Sequence, residues 1–378
     1  MAATRIDIFG QWITFFFVLS AFLLYLPYVK RFVAKRDSPD AKHYLQHRFR
    51  RIFPGYLFIF LVANFVLQAV YVRNPLASMT DGTPGAFGGI PGTGMITDPL
   101  ELLAEFSLTQ TFFPATMQTG INPAWSLTTE FTFYLILPII GYVLFRFGRN
   151  SRHRYLVLAL PPMMLWIGGI AVNSLVRYLQ IEAGLTGLDT YWGANWVAVL
   201  SRSFFALADG FGAGMLAAVI FVAFSNGLLL SSWSTRKVMW LLFGISAVLW
   251  LGTAVIFMTE GHFVQTPAGV AAAATTLFIT FPGSRGEWSR IGAIIDWRPL
   301  KYLGVISMSI YLWHYPIIIF VARFVPTRPS SLELLGIFAS VTFITVILAS
   351  FSYRYVELPG MEGRIPFIRA RKAKAAVS

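Results

Sequence analysis

Trp125-Ser126-Leu127-Thr128-Thr129-Glu130-Phe131-Thr132-Phe133-Tyr134-Leu135-Ile136-Leu137-Pro138-Ile139-Ile140-Gly141-Tyr142-Val143-Leu144-Phe145 holds one acidic side chain, Glu130, and no basic one, in an otherwise largely apolar run. As a helix, a run of about 20 such residues crosses the hydrocarbon core of a bilayer. Working outward, further spans are expected at Gly10–Tyr28 and Ile52–Val72 on one side. On the other lie Tyr155–Val176, Val197–Phe224, Val238–Met258, Phe263–Phe281, Tyr302–Phe324 and Leu332–Tyr353. The pattern predicts an all-α, polytopic membrane helix bundle of about nine transmembrane helices. Leu100–Phe113 is apolar but too short to span and is bounded by acids, so it is expected along the interface or packed on the bundle.

Composition agrees. Of 378 residues, 56% are hydrophobic and 12% charged, with a mean hydropathy of +0.64. A soluble domain carries about 25% charged residues and could not bury so many apolar runs. The net charge of +13 would suggest nucleic acid in a soluble protein. Here the cations sit in loops, which fits membrane topology and an anionic inner surface instead. Cysteine is absent, which removes disulfides, a thiolate nucleophile and any Cys-based metal site.

The loops set direction. Cations cluster at Lys30–Arg51, Arg146–Arg154, Arg236–Lys237, Arg285–Lys301 and Arg364–Lys374, while the alternating loops are nearly neutral. The basic loops therefore face the cytoplasm, as does the C-terminus, and Met1 falls outside. The chain reads as a single membrane domain over 1–378 with a basic cytoplasmic tail over 354–378. Arg73–Asp98 is rich in Gly and Pro and reads as a flexible outer flap.

Ionisable groups inside spans are costly and mark candidate sites. Glu130 lies roughly 8 Å below the outer edge of its span, and His314 roughly 18 Å from the cytoplasmic edge of its own. Arg202 and Asp209 enter the fifth span from outside. A neutral imidazole can take a proton from an attacking hydroxyl, and a carboxylate can hold it in the needed tautomer. Ser307, Tyr311 and His314 share one helical face, and Pro316 is expected to break the hydrogen-bond ladder just beyond. The same groups also suit a buried network with no chemical role. Arg48 and Arg51 share a helix face at the start of the second span. They suit a topology anchor or a clamp on the phosphates of a nucleotide carrier. No ligand cluster for a metal is seen, because His43 and His47 lie among cations.

Four stretches resemble the acyltransferase-3 family of integral membrane O-acyltransferases. They are Phe15-Phe16-Phe17-Val18-Leu19-Ser20-Ala21-Phe22-Leu23, Arg48-Phe49-Arg50-Arg51-Ile52-Phe53-Pro54, Asn122-Pro123-Ala124-Trp125-Ser126-Leu127-Thr128-Thr129-Glu130 through Tyr134, and Ser309-Ile310-Tyr311-Leu312-Trp313-His314-Tyr315-Pro316. Weaker echoes are Arg202 with Gly210–Met215 and the ending Tyr353-Arg354-Tyr355-Val356-Glu357-Leu358-Pro359. The resemblance implies a ten-helix domain that moves an acyl group, acetyl by default, from cytoplasmic acyl-CoA to a hydroxyl on a glycan or lipid acceptor of the cell envelope. Acyl-CoA is then a co-substrate and no cofactor or metal is required. By that analogy Arg48 and Arg51 hold the CoA phosphates. Glu130, Trp125 and Tyr134 shape the acceptor or reaction site, and His314 lines the same cavity.

One departure stands out. The family's first helix carries an Arg or Lys and, eleven residues on, a catalytic His. Eleven residues after Arg5 comes Phe16, and the first span here already resembles the second family helix. The chain is thus expected to start at an internal methionine or to be a natural short form. His314 and Glu130 are the expected catalytic pair, with Arg202 or Ser126 as oxyanion donor and Tyr311 beside the substrate. Two other classes remain: a glycan or lipid transporter, which should show repeats that this sequence lacks, and a catalytically inactive partner of an intact enzyme.

Overall fold

The computed structural model describes residues 12–81, 85, 89–186, 188–259, 264–287, 290–325 and 330–363. The head before Trp12, most of 82–88, Phe263 and the basic tail from Arg364 onward lie outside these residues. The chain runs as α1 (Trp12–Val33), α2 (Ala41–Leu61, continued by a π-turn at Val62–Val66), β1 (Val70–Tyr71), α3 (Pro75–Asp81), β2 (Thr93–Gly94) and α4 (Pro99–Phe106). After several 3-10 turns come α5 (Trp125–Phe147), α6 (Arg154–Glu182), α7 (Asp189–Trp192), α8 (Trp196–Ser201), α9 (Phe204–Ser225) and α10 (Thr235–Thr259). The remainder is α11 (Gln265–Ser284), α12 (Arg290–Ile295), α13 (Arg298–Val305), α14 (Ser307–Ala322), α15 (Ser331–Ser352, continued by a π-turn at Tyr353–Glu357) and α16 (Leu358–Met361).

The all-α membrane reading holds. Among the described residues, seven helices are long and apolar enough to cross a membrane, or eight if α13 and α14 count as one bent span. The sequence reading of nine differs at α11. That helix forms over the expected stretch, but its Gly, Thr and Ala residues keep it below the hydropathy of the others. Half of its buried residues are alanines, packed inside the protein rather than against lipid.

Three further expectations change. The helix of the second span begins at Ala41 rather than Ile52, so it already holds Arg48 and Arg51, which share a helix as expected. Pro316 sits inside a continuous α14, and the sharp bend of 67° falls ten residues earlier, at Ile306. Its missing N–H leaves one carbonyl without its helical partner, which membrane helices tolerate where neighbours re-satisfy the backbone. The outer flap is tied down at both ends. Val70 pairs with Gly94 and Tyr71 with Thr93, and Val72 N–H donates to Gly92 O at 2.9 Å.

Two compact units form. The first comprises the described parts of Met1–Asp40, Thr129–Tyr191 and Leu200–Trp297. Its centre is α9, buried along most of its length. A Cβ on Gly212 would come within 2.5 Å of Pro162 O, and one on Gly214 within 2.1 Å of Val18 O. Small residues let α6 and α1 reach the α9 backbone, which is how helices gain contact where lipid gives no hydrophobic drive. Phe211 fills the space between, 4.5 Å from Phe133 and 5.0 Å from Phe17 by ring centroid.

The second unit comprises Ala41–Thr128, Trp192–Val199 and the described part of Arg298–Ser378. It is less regular, holding the strand pair, the 3-10 turns and both π-turns. Asp98 caps α4 by accepting from Leu100 N and Glu101 N, at 2.9 and 3.0 Å, and Pro99 fits the first helical position. This helix is inside out by soluble standards. Leu100 and Leu103 are exposed while Glu105 is fully buried, as expected of a short element beside lipid.

Candidate active site

In the second unit, α14 carries Tyr311 and His314, and the first turn of α5 carries Trp125 and Ser126. The structure brings Ser126 and Tyr311 together. Ser126 Oγ donates to Tyr311 Oη at 2.9 Å, and Tyr311 Oη donates to the Pro123 carbonyl at 3.0 Å. That carbonyl also lies 3.0 Å from Ser126 Oγ. The 3-10 turn Asn122–Ala124 leads directly into α5 and presents this carbonyl to both hydroxyls.

His314 Nδ1 is 2.6 Å from the carbonyl oxygen of Tyr311, one turn earlier on the same helix. A carbonyl can only accept, so Nδ1 carries the proton in this pairing and Nε2 keeps its lone pair. The sequence reading assigned the tautomer to a carboxylate; the backbone sets it here. The ring is half-buried between Tyr311 and Tyr315, with centroids 5.8 Å from each. Trp313, buried next to it, donates Nε1–H to Ser352 Oγ at 3.2 Å and fixes the helix rotation. Trp125 packs edge-on to Trp192 at 5.6 Å.

The paired arginines belong to the same unit. Arg48 is half-buried, 5.8 Å from the Tyr44 ring centroid. Arg51 is exposed and makes no hydrogen bond among the described residues. Glu357 lies behind it. This carboxylate is buried, accepts a very short hydrogen bond from Ser309 Oγ, and is the acid whose field Arg51 meets. A Cβ on Gly55 would sit 2.7 Å from Glu357 Cγ, so only glycine admits the acid there. Sequence reading quoted Glu357 as a weak echo and gave it no role. Its signal was an acid closing an otherwise apolar run.

Glu130, Tyr134 and Arg202 fall in the first unit. Glu130 Oε1 accepts from Ser20 Oγ at 2.7 Å and from Tyr134 Oη at 2.5 Å. Arg202 occupies the break between α8 and α9 rather than a helix interior. Its Nε–H donates to Tyr191 O at 3.0 Å, and its own carbonyl accepts from Thr129 Oγ1 at 3.0 Å. Asp209 is buried and accepts from Thr266 Oγ1, Gly210 N and Gln265 Nε2 at 2.5, 2.8 and 3.1 Å. A carboxylate with three donors is held in place rather than poised to move a proton.

A further acid escaped sequence reading. Glu105, outside the spans, takes hydrogen bonds from Tyr56 Oη at 3.1 Å and Thr119 Oγ1 at 2.8 Å. Burial raises its pKa to about 7, against the pull of those two donors.

Residues 4–354 match the acyltransferase-3 family model, described as an acyltransferase domain. Peptidoglycan O-acetyltransferase OatA of Listeria monocytogenes is 23% identical over 345 residues, which cover 91% of this chain and 50% of that protein. O-acetyltransferase OatA of Staphylococcus aureus is 23% identical over 355 residues, covering 91% and 51%. The chain thus spans about half the length of the curated relatives it matches. No solved structure matches it.

Proposed function

Since this chain belongs to the acyltransferase-3 family, we propose that it transfers an acetyl group from acetyl-CoA to a hydroxyl of a cell-envelope glycan. The observation that carries this reading is the His314 pairing. With Nδ1–H committed to Tyr311 O, Nε2 is the basic nitrogen, and the half-buried ring leaves it open to a substrate hydroxyl. The peptidoglycan named for the Listeria relative makes a glycan the favoured acceptor.

In this scheme CoA docks from the cytoplasm on Arg48 and Arg51, whose guanidinium forks match phosphate oxygens. The acceptor hydroxyl gives its proton to His314 Nε2 while its oxygen attacks the thioester carbonyl carbon. The tetrahedral intermediate collapses, the carbon–sulfur bond breaks, and the imidazolium returns the proton to the departing thiolate. Ser126 and Tyr311 form the hydroxyl pair nearest the oxyanion, and Trp125 walls the acceptor. Glu130 and Tyr134 hold the neighbouring helix, and Arg202 ties the break after α8 to the Tyr191 carbonyl. The reaction needs no metal or other cofactor. The protein then works as a multi-pass protein of the bacterial inner membrane with its C-terminus in the cytoplasm.

The test uses the full chain in lipid nanodiscs with acetyl-CoA and soluble peptidoglycan fragments, following CoA release and ester formation by mass spectrometry. Release that depends on the glycan and collapses in His314→Ala is expected. Release indifferent to added glycan, or unchanged in the variant, would sink the scheme.

A further inference from the structure

Glu105 is a buried acid to which the acyl-transfer scheme gives no task, and three segments of the second unit meet on it. From α2, Tyr56 Oη donates to its carbonyl oxygen at 2.9 Å and to its Oε2 at 3.1 Å. From the turn before α5, Thr119 Oγ1 donates to its Oε1 at 2.8 Å. Gly120 lays its backbone on the same carboxyl. A Cβ there would stand 2.2 Å from Oε2, and a φ of +67° favours glycine as well. Gly120 also exchanges two backbone hydrogen bonds with Tyr71, at 3.0 and 2.8 Å, so the turn is held between β1 and the acid.

That turn leads straight into the candidate active site. Ile121 is buried, its carbonyl accepts from Ala124 N at 2.7 Å, and the 3-10 turn Asn122–Ala124 follows at once. The Pro123 carbonyl in this turn is the acceptor that Ser126 Oγ and Tyr311 Oη share. Pro123 stands three residues beyond Gly120, a stretch too short to absorb a shift of either end.

The arrangement favours a neutral acid. Burial raises the Glu105 pKa to about 7 in spite of its two hydroxyl donors. The groups facing it are Tyr56 from α2, Thr119 and the Gly120 backbone from the turn, and the acid Glu101 one turn earlier on α4. None of these carries positive charge, so an anion formed here is drawn toward water and away from the turn.

We propose that Glu105 is a positioning residue for acyl transfer: its neutral carboxyl latches the 116–120 turn, which keeps the Pro123 carbonyl against Ser126 and Tyr311, and its ionisation opens the latch. This rests on the acyl-transfer reading above, in which those two hydroxyls lie nearest the oxyanion. Because the folded pKa is raised above the ordinary 4.5, the latch is tightest below about 4.5 and weakens as pH rises through about 7. Catalysis then declines toward alkaline pH through a group that never touches substrate.

The test uses the full chain in lipid nanodiscs with acetyl-CoA and soluble peptidoglycan fragments, from about pH 5 to 8, beside Glu105→Gln. The amide of that variant stays neutral throughout, and the ratio of wild-type to variant kcat cancels the titration of the base. This ratio should fall at least about threefold across the range, as the linkage between latch and proton requires. In Thr119→Val, which keeps the acid and loses one tie, the fall should begin at lower pH. A purely structural Glu105 leaves the ratio flat, which overturns the proposal, as does a Thr119→Val fall that begins no earlier than the wild type's. Hydrogen-exchange protection over residues 116–126, corrected for the intrinsic pH dependence of exchange, is followed in the same samples. If no glycan is acetylated at any pH, yet protection falls with pH in the wild type and not in Glu105→Gln, the acyl-transfer reading fails and the latch survives it. Protection that stays constant in the wild type sinks the latch whatever the activity.

Discussion

Asp209 and His314 are both polar groups in apolar helices, one in each unit, and their surroundings differ in kind. Asp209 is fully buried with three donors around it, on a helix packed through glycines. His314 has one nitrogen tied to its own backbone and the other without a hydrogen bond among the described residues, in a unit of broken helices and irregular turns. The difference teaches how to sort costly polar groups in a membrane protein. A complete set of partners marks a structural role, and an incomplete set on a rigid frame marks chemistry.

Breaking the comparison at its strongest point means removing His314. His314→Ala should lower glycan-dependent CoA release by about 10³-fold, the weight of a general base. Asp209→Asn should hold the rate and lower the melting temperature instead. If the two variants exchanged effects, the sorting rule would fail for this protein.

Glu105 sharpens it, since among the described residues this acid has two hydroxyl donors and no cation paired with it. Its folded pKa of about 7 stands above the ordinary value of 4.5. The sign follows: its stabilising contribution is full below about 4.5 and is lost as pH rises through about 7, a change of about 3 kcal/mol. Hydrogen-exchange protection factors over residues 105–121, corrected for the intrinsic pH dependence of exchange, should therefore fall between pH 5 and 8, and Glu105→Gln should flatten that fall.

The packed side of the contrast is open to Gly214→Ala. The added methyl meets the Val18 carbonyl, and a loss of about 2 kcal/mol is expected, read as a lower melting temperature in detergent. The smallest effect belongs to Arg51→Ala. Loss of one exposed phosphate contact should raise the KM for acetyl-CoA about tenfold, or ~1.4 kcal/mol, without changing the KM for the glycan.

Much of this was legible in the sequence. Hydropathy located the spans because bilayer thickness demands a fixed length of apolar helix. It also placed Arg48 beside Arg51 and Tyr311 beside His314, since helical spacing is local. What it lacked was anything carried by backbone atoms. The carbonyl that fixes the His314 tautomer has no side-chain signature, and the bend at Ile306 arises where no proline stands. Glu105 looked like an acid at the rim of a short apolar run, and only the fold shows it turned inward with Leu100 and Leu103 facing out.

The π-turn that ends α15 has a consequence for where charge resides. Up to Ser352 the inward positions of this helix follow α spacing, with Thr345, Ala349 and Ser352 buried. The next fully buried position is Glu357, five residues on, while Val356 is only half-buried. In an α-helix each residue advances by about 100° around the axis, so without the extra residue Val356 would take the inner place and Glu357 would rotate outward. The acid beneath Arg51 is thus a matter of winding number: one added residue in a single turn exchanges an aliphatic side chain for a carboxyl group, with the composition of the helix unchanged.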